Sequence, residues 1–195
     1  MHLVLRCPVF VPVVLLLLTA AAPALHAATP ALIDDFSNPD RTARGAGRLV
    51  IDDASAGSKS HATQRCENGV LMVQGELAPG RGAPAFISIP LLLTPDAKPV
   101  DVSSYTGVRL RVKLTQGNLS VQVSSTDVDN FDYHLAPVVA KRGEFAEVRV
   151  PFAEMKRAWS AQTPLSLKLV NGVNFVTFGM APGSFAFEVD EIGFY

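Results

Sequence analysis

"VRLRVKLTQGNLSVQVSS" (108–125) decides the fold class. Apolar and polar residues alternate on both sides of a short polar break. Such a period of two belongs to a strand with one buried and one wet face. Val108, Leu110, Val112 and Leu114 point one way, and Arg109, Arg111 and Lys113 the other. After the break Leu119, Val121 and Val123 alternate with Ser120, Gln122 and Ser124. With Gln116-Gly117 at a turn, the two runs form a hairpin. Leu114 then faces Leu119, Val112 faces Val121, and Arg111 faces Gln122 on the wet side.

The same grammar recurs outward from this stretch. "RLVID" (48–52), "VLMVQGEL" (70–77), "AFISI" (85–89), "FDYHLAP" (131–137), "FAEVRV" (145–150), "NFVTFGM" (174–180) and "FAFEVDEIGFY" (185–195) read as further strands. Gly, Pro, Asn or Asp separates them, and no long amphipathic helix intervenes. Strands this numerous predict an all-β protein, an antiparallel sandwich of two sheets.

The ends and the composition bound the rest. Met1–Ala27 has one Arg, no acid, a short apolar run broken by Pro12, and the small-residue finish "PALHAATP" (23–30). That pattern predicts a secretory signal peptide cleaved after Ala27 or Ala28. Residues 28–195 then form a single domain, long enough for its own core. A periplasmic or secreted location follows, with no stable membrane span after cleavage. The formal net charge of −1 and the absence of a basic cluster argue against a nucleic-acid partner. Cys66 is the one cysteine beyond the signal, so no internal disulfide is expected.

Several motifs together resemble a known family. "LIDDF" (32–36) is similar to its opening strand. "IDDASAGSKS" (51–60) is similar to its Asp-x-x-x-Gly-Gly-x-Ser loop, through Asp53, Gly57 and Ser60. "DVSSYTGVRLRVK" (101–113), the strand-Pro-Phe corner in "FAEVRVPFAEM" (145–155) and the last strand "GSFAFEVDEIGFY" (183–195) complete the set. In this order and spacing they resemble the complex I intermediate-associated protein 30 family. That resemblance implies a galactose-binding-like jelly roll. The family 11 carbohydrate-binding modules share the corner and the closing strand. This sequence departs from the family pattern where Ser58 replaces the second glycine and Ala56 a bulky apolar residue.

Four groups of residues carry the functional expectations. If the chain continues as a meander, Arg111, Gln122 and His134, with Arg149, share a polar sheet face, either an ordinary solvated surface or a ligand platform. After Pro151, residues Phe152, Met155 and Trp159 fall at i, i+3 and i+7, one side of a helical turn capping the sandwich. Trp159 is either part of that cap or an exposed indole that stacks on a sugar ring. The loop with Asp53, Gly57, Ser58 and Ser60 is either a turn satisfied by its own side chains or a contact for a ligand or protein. Asp34, Asp35, Asp190 and Glu191 are either strand-end carboxylates in water or the holders of a structural calcium, an ion the resemblance implies.

No G-x-S-x-G elbow, H-E-x-x-H, C-x-x-C or phosphate-binding loop is present, and His61 and His134 are widely separated. The expectation is therefore a non-enzyme without a cofactor. Two functions compete. One is an exported module binding a carbohydrate or similar polar ligand. The other, implied by the family, is an interaction or assembly factor for an envelope or respiratory membrane complex. An exported chain does not reach the cytoplasmic side, where bacterial complex I is assembled, which favours the first.

Overall fold

The computed structural model describes residues 31–80, 82 and 84–195. The expected signal peptide, 1–27, lies outside the described residues. Among the described residues eleven strands run in chain order. They are β1 (Leu32–Asp34), β2 (Ile51–Asp52), β3 (His61–Glu67), β4 (Val70–Leu77), β5 (Ala85–Leu92) and β6 (Gly107–Gln116). β7 (Ser120–Ser125), β8 (His134–Pro137), β9 (Ala146–Pro151), β10 (Val170–Gly179) and β11 (Gly183–Phe194) follow.

All pairings are antiparallel. The first sheet runs β3-β4-β11-β6-β9, with β1 joining β11 where β4 ends. The second runs β2-β5-β10-β7-β8. The two-sheet, all-β expectation holds. The reason is the alternation itself: each strand gives one apolar face, and two such faces bury each other. Leu71, Val73, Leu110, Val112, Phe187 and Val189 pack from the first sheet against Ile87, Ile89, Leu91, Val121, Val123, Val173 and Phe175 of the second. The Phe175 and Phe187 rings meet across the interface, 5.8 Å between centroids.

The predicted hairpin is a correction. β6 pairs with β11 and β9, whereas β7 pairs with β10 and β8. At Gly117 (φ 75°) the chain leaves one sheet for the other. Alternation tells which side chains face the core. It does not tell from which side of the core they arrive, so a hairpin and a sheet-switching corner satisfy it equally.

The corner after β9 also differs from its expectation. Pro151 ends the strand, but only a 3-10 turn, Phe152–Glu154, follows. Phe152 and Met155 enter the core, and the chain then extends, with Lys156 bridging to Leu135. Trp159 is thereby carried off the helical face and stands 68% exposed. The exposed edge strand β3 was missed, because "HATQRCE" has few apolar residues to mark it.

Gly75 shows how closely neighbouring strands of the first sheet approach one another. It faces Phe185 across β4 and β11, and an added Cβ would run into the His61 carbonyl and lie 2.7 Å from Phe185 Cζ. Gly75→Ala is expected to cost about 1–3 kcal/mol in urea unfolding, since backbone rather than a flexible side chain stands in the way.

Candidate functional site

The outer faces of the two sheets have opposite chemistry. On the first, Lys113 meets Glu188 at 2.7 Å, Arg109 meets Glu191 at 2.6 Å, and Arg149 meets Glu147 at 3.0 Å. Arg111 pairs with Asp190 and its guanidinium lies over the Phe145 ring, 5.1 Å from the centroid. Oppositely charged neighbours, across strands or two apart on β9, thus neutralise each other, a common solvated arrangement. A dip of about 310 Å³ over Ala186, flanked by Thr63, Gln74 and Thr115, interrupts the lattice.

The outer face of the second sheet carries no charged side chain on β5, β7, β8 or β10. Core membership of Ile87, Val121, Ala136 and Phe175 fixes the parity. The registers then give rows across the sheet. Ser88, Val176, Ser120 and Pro137 form one, edged by Ile51. Pro90, Asn174, Gln122 and Leu135 form the next. Leu92, Gly172 and Ser124 follow, while Phe86 and Phe178 pair at the other end. Central Ser120, Ser124, Asn174 and Val176 are buried, whereas Phe178 is 38% exposed and Gln122 and Leu135 are half-buried. Small residues between larger ones form the floor of this strip. At its middle Asn174 Nδ2 donates to Gln122 Oε1 at 3.2 Å. From Phe178 to Gly172 the strip is about 20 Å long, at about 3.3 Å per strand residue. An uncharged, amide-centred strip suits a ligand rich in hydroxyl groups and poor in charge.

The strip's β8 edge leads into a braced corner. Asp132 is fully buried and accepts the backbone N–H groups of Ala158 (2.7 Å), Trp159 (3.1 Å) and Ser160 (2.5 Å). Arg157 Nε donates to the Asp132 carbonyl at 3.0 Å and Arg157 Nη2 to Asn130 Oδ1 at 2.7 Å. Burial pushes the Asp132 carboxyl up, but the three N–H donors and the Ser160 hydroxyl outweigh it and hold the carboxyl below its ordinary value. Burial also raises the neighbouring Tyr133 hydroxyl.

The expected platform is therefore not assembled. Arg111 belongs to the first sheet, Gln122 to the second, and they face away from each other across the sandwich. His134 has the parity of the core. It is 2% exposed, with Nε2 on the Thr163 carbonyl at 2.6 Å. Gln122 remains on an outer face and Trp159 remains exposed. The sequence reading missed Asn174, Ser88 and Phe131. The alternation in "NFVTFGM" already set Asn174, Val176 and Phe178 on one side.

The Asp53 loop is occupied by its own fold. Buried Asp53 accepts Ser60 Oγ at 2.7 Å, Ser60 N at 3.3 Å and Phe86 N at 2.9 Å. Ser58 Oγ accepts Gly80 N at 2.9 Å, and Gly57 (φ 78°) makes the left-handed turn. Asp53, Ser58 and Ser60 thus join the loop to β5 and to the chain between β4 and β5.

The four carboxylates suggested for calcium also go to separate partners. β1 does pair with β11, with Asp34 opposite Ile192. Yet Asp34 turns inward to Arg48 at 2.5 Å, while Asp190 and Glu191 bind Arg111 and Arg109. Asp35 accepts the Ser37 hydroxyl at 2.7 Å, which holds its carboxyl below the usual range. Among the described residues no group of three or more His, Cys, Asp or Glu is placed to hold a metal ion.

A family model described as Complex I intermediate-associated protein 30 (CIA30) matches residues 35–189. No curated protein matches. Among solved structures, the chain is similar to a family 11 carbohydrate-binding module from Clostridium thermocellum, solved in complex with a β-1,3-1,4-mixed-linked tetrasaccharide. The identity is 15% and the TM-score 0.57, over 87% of this chain and 96% of that one. It is also similar to the family 11 module of a cellulosomal cellulase from the same organism, at 14% identity and TM-score 0.56, over 86% and 95%. An agarase is matched at 7% identity and TM-score 0.54, over 84% of this chain but 26% of the enzyme. At these identities the likeness is one of fold.

Proposed function

The chain belongs to the Complex I intermediate-associated protein 30 family, and from that premise we propose an exported, non-catalytic module that binds a neutral carbohydrate along the outer face of the second sheet. One observation carries the reading: that face is free of charged side chains on four adjoining strands, while the opposite face is a lattice of ion pairs. A neutral glycan loses little by leaving water for such a strip, because amide and hydroxyl groups there replace its hydrogen bonds. The fold shared with two carbohydrate-binding modules agrees with this use. Export rests on the pattern of Met1–Ala27.

The test is a glycan array probed with the purified protein. Binding to neutral glycans is expected, weakened about tenfold by Gln122→Ala, the scale of one hydrogen bond to an uncharged ligand. Gln122→Glu is expected to abolish it by burying a charge against the sugar. Arg111→Ala, on the opposite sheet, should leave it unchanged. A blank across diverse neutral glycans would sink this reading and favour a protein partner.

A further inference from the structure

We infer that Phe131 and Trp159 form an aromatic wall at the end of the uncharged strip, where the pyranose ring of a neutral sugar stacks. The inference rests on the glycan reading of that strip and adds the residues that select the ligand.

Trp159 is 68% and Phe131 74% exposed. Exposed aromatic residues on mobile loops are common, but these are held from behind. Asp132, buried and next to Phe131 in sequence, bonds to three successive N–H groups, that of Trp159 among them. Asn130 ties the two segments again, through Nδ2 to Ser160 Oγ at 2.9 Å and Oδ1 to Arg157. Phe131 itself sits at φ 61°, a region that favours glycine and is rare for a bulky side chain. Strained backbone persists only where its surroundings fix it, and such places cluster at ligand clamps. A buried carboxylate and a strained residue are thus both spent on presenting two rings to solvent.

The position fits the strip. The Lys156–Leu135 bridge extends the second sheet by one short step beyond β8. Tyr133, with the parity of Leu135, meets the Phe131 ring edge-on at 6.4 Å. The corner therefore continues this face at its Ser124 end, with the exposed Lys156 side chain beside Leu135 at the margin. Arg157 directs its guanidinium to Asn130 and the Asp132 carbonyl, so that cation is engaged within the corner. Flat rings with a negative π-face suit the polarised C–H groups on the apolar face of a pyranose. The chemical class is a neutral sugar with such a face.

Trp159 is the chain's one tryptophan, so its fluorescence reports on the corner directly. The full protein is run in affinity gels containing soluble β-1,3-1,4-glucan, galactomannan or agarose oligosaccharides, with polygalacturonate as the acidic control. Each probe is also titrated against Trp159 emission and acrylamide quenching. A neutral probe that retards the protein is expected to shift the emission to the blue and to shield it from acrylamide. Trp159→Ala and Phe131→Ala should weaken retardation about tenfold, and Trp159→Phe should retain most of it. Retardation with unchanged Trp159 emission, or at wild-type strength in Trp159→Ala, would overturn the wall and leave the glycan reading standing. Retardation by no neutral probe, or by polygalacturonate alone, would overturn both.

Discussion

Asp34→Ala is expected to destabilise the domain by about 3–5 kcal/mol, read as a lower urea midpoint at unchanged slope. Asp34 and Arg48 form an ion pair with side chains 1% and 6% exposed. The Arg48 guanidinium also donates to the carbonyls of Asn38 and Arg41 and lies 5.2 Å over the Phe36 ring. Asp34 accepts the N–H groups of Phe36 and Ala43, both at 3.1 Å. Removing the carboxylate leaves a buried cation and two backbone donors without their acceptor. Breaking one half of a buried pair costs several kcal/mol, whereas replacing both halves by apolar groups does not. The double variant Asp34→Leu/Arg48→Met should therefore recover much of the loss. A single-variant cost below about 1 kcal/mol would show that the pair is not what organises residues 36–48.

Asp132→Ala is expected to cost about 3 kcal/mol and to remove part of the acid sensitivity of the fold. Three backbone donors and Arg157 lose the group they converge on, and hydrogen bonds to a charged acceptor are the stronger kind. The sign in pH follows from the lowered carboxyl. Its folded value lies below its unfolded one, so the contribution is complete above about pH 4, the ordinary carboxylate value. It is lost as pH falls through the folded value. Thermal unfolding from pH 7 to pH 2 should drop less steeply in Asp132→Asn than in the wild type below about pH 4. Parallel curves would place the acid transition elsewhere, with Asp35 and Asp127 as the next carboxyls held low by serine hydroxyls.

These two aspartates also mark the limit of sequence reasoning. Asp34 read as half of a carboxylate cluster, because "IDDF" and "VDEI" do lie on paired strands. What the pairing left open was side-chain direction: Asp34 turns in to Arg48 from another segment. Asp132 read as part of the strand "FDYHLAP", and it is instead the buried hub of a corner that precedes β8. In both cases the deciding partner is distant in sequence, at |i−j| of 14 and 26.

The sequence by itself determined the strand grammar, the inward residues of β6 and β7, and the family. It could, because a period of two and a set of ordered motifs are local properties. Only the tertiary structure decided that β6 and β7 belong to different sheets. That separation sends Arg111 to an ion-paired face and Gln122 to an uncharged one. It also decided that Trp159 leaves the helical face begun by Phe152 and Met155, because Lys156 pairs with Leu135 and draws the chain out along the sheet edge. Neighbour identity in a sandwich is set by which strand edges satisfy each other's backbone hydrogen bonds, and residues far apart in sequence supply those edges.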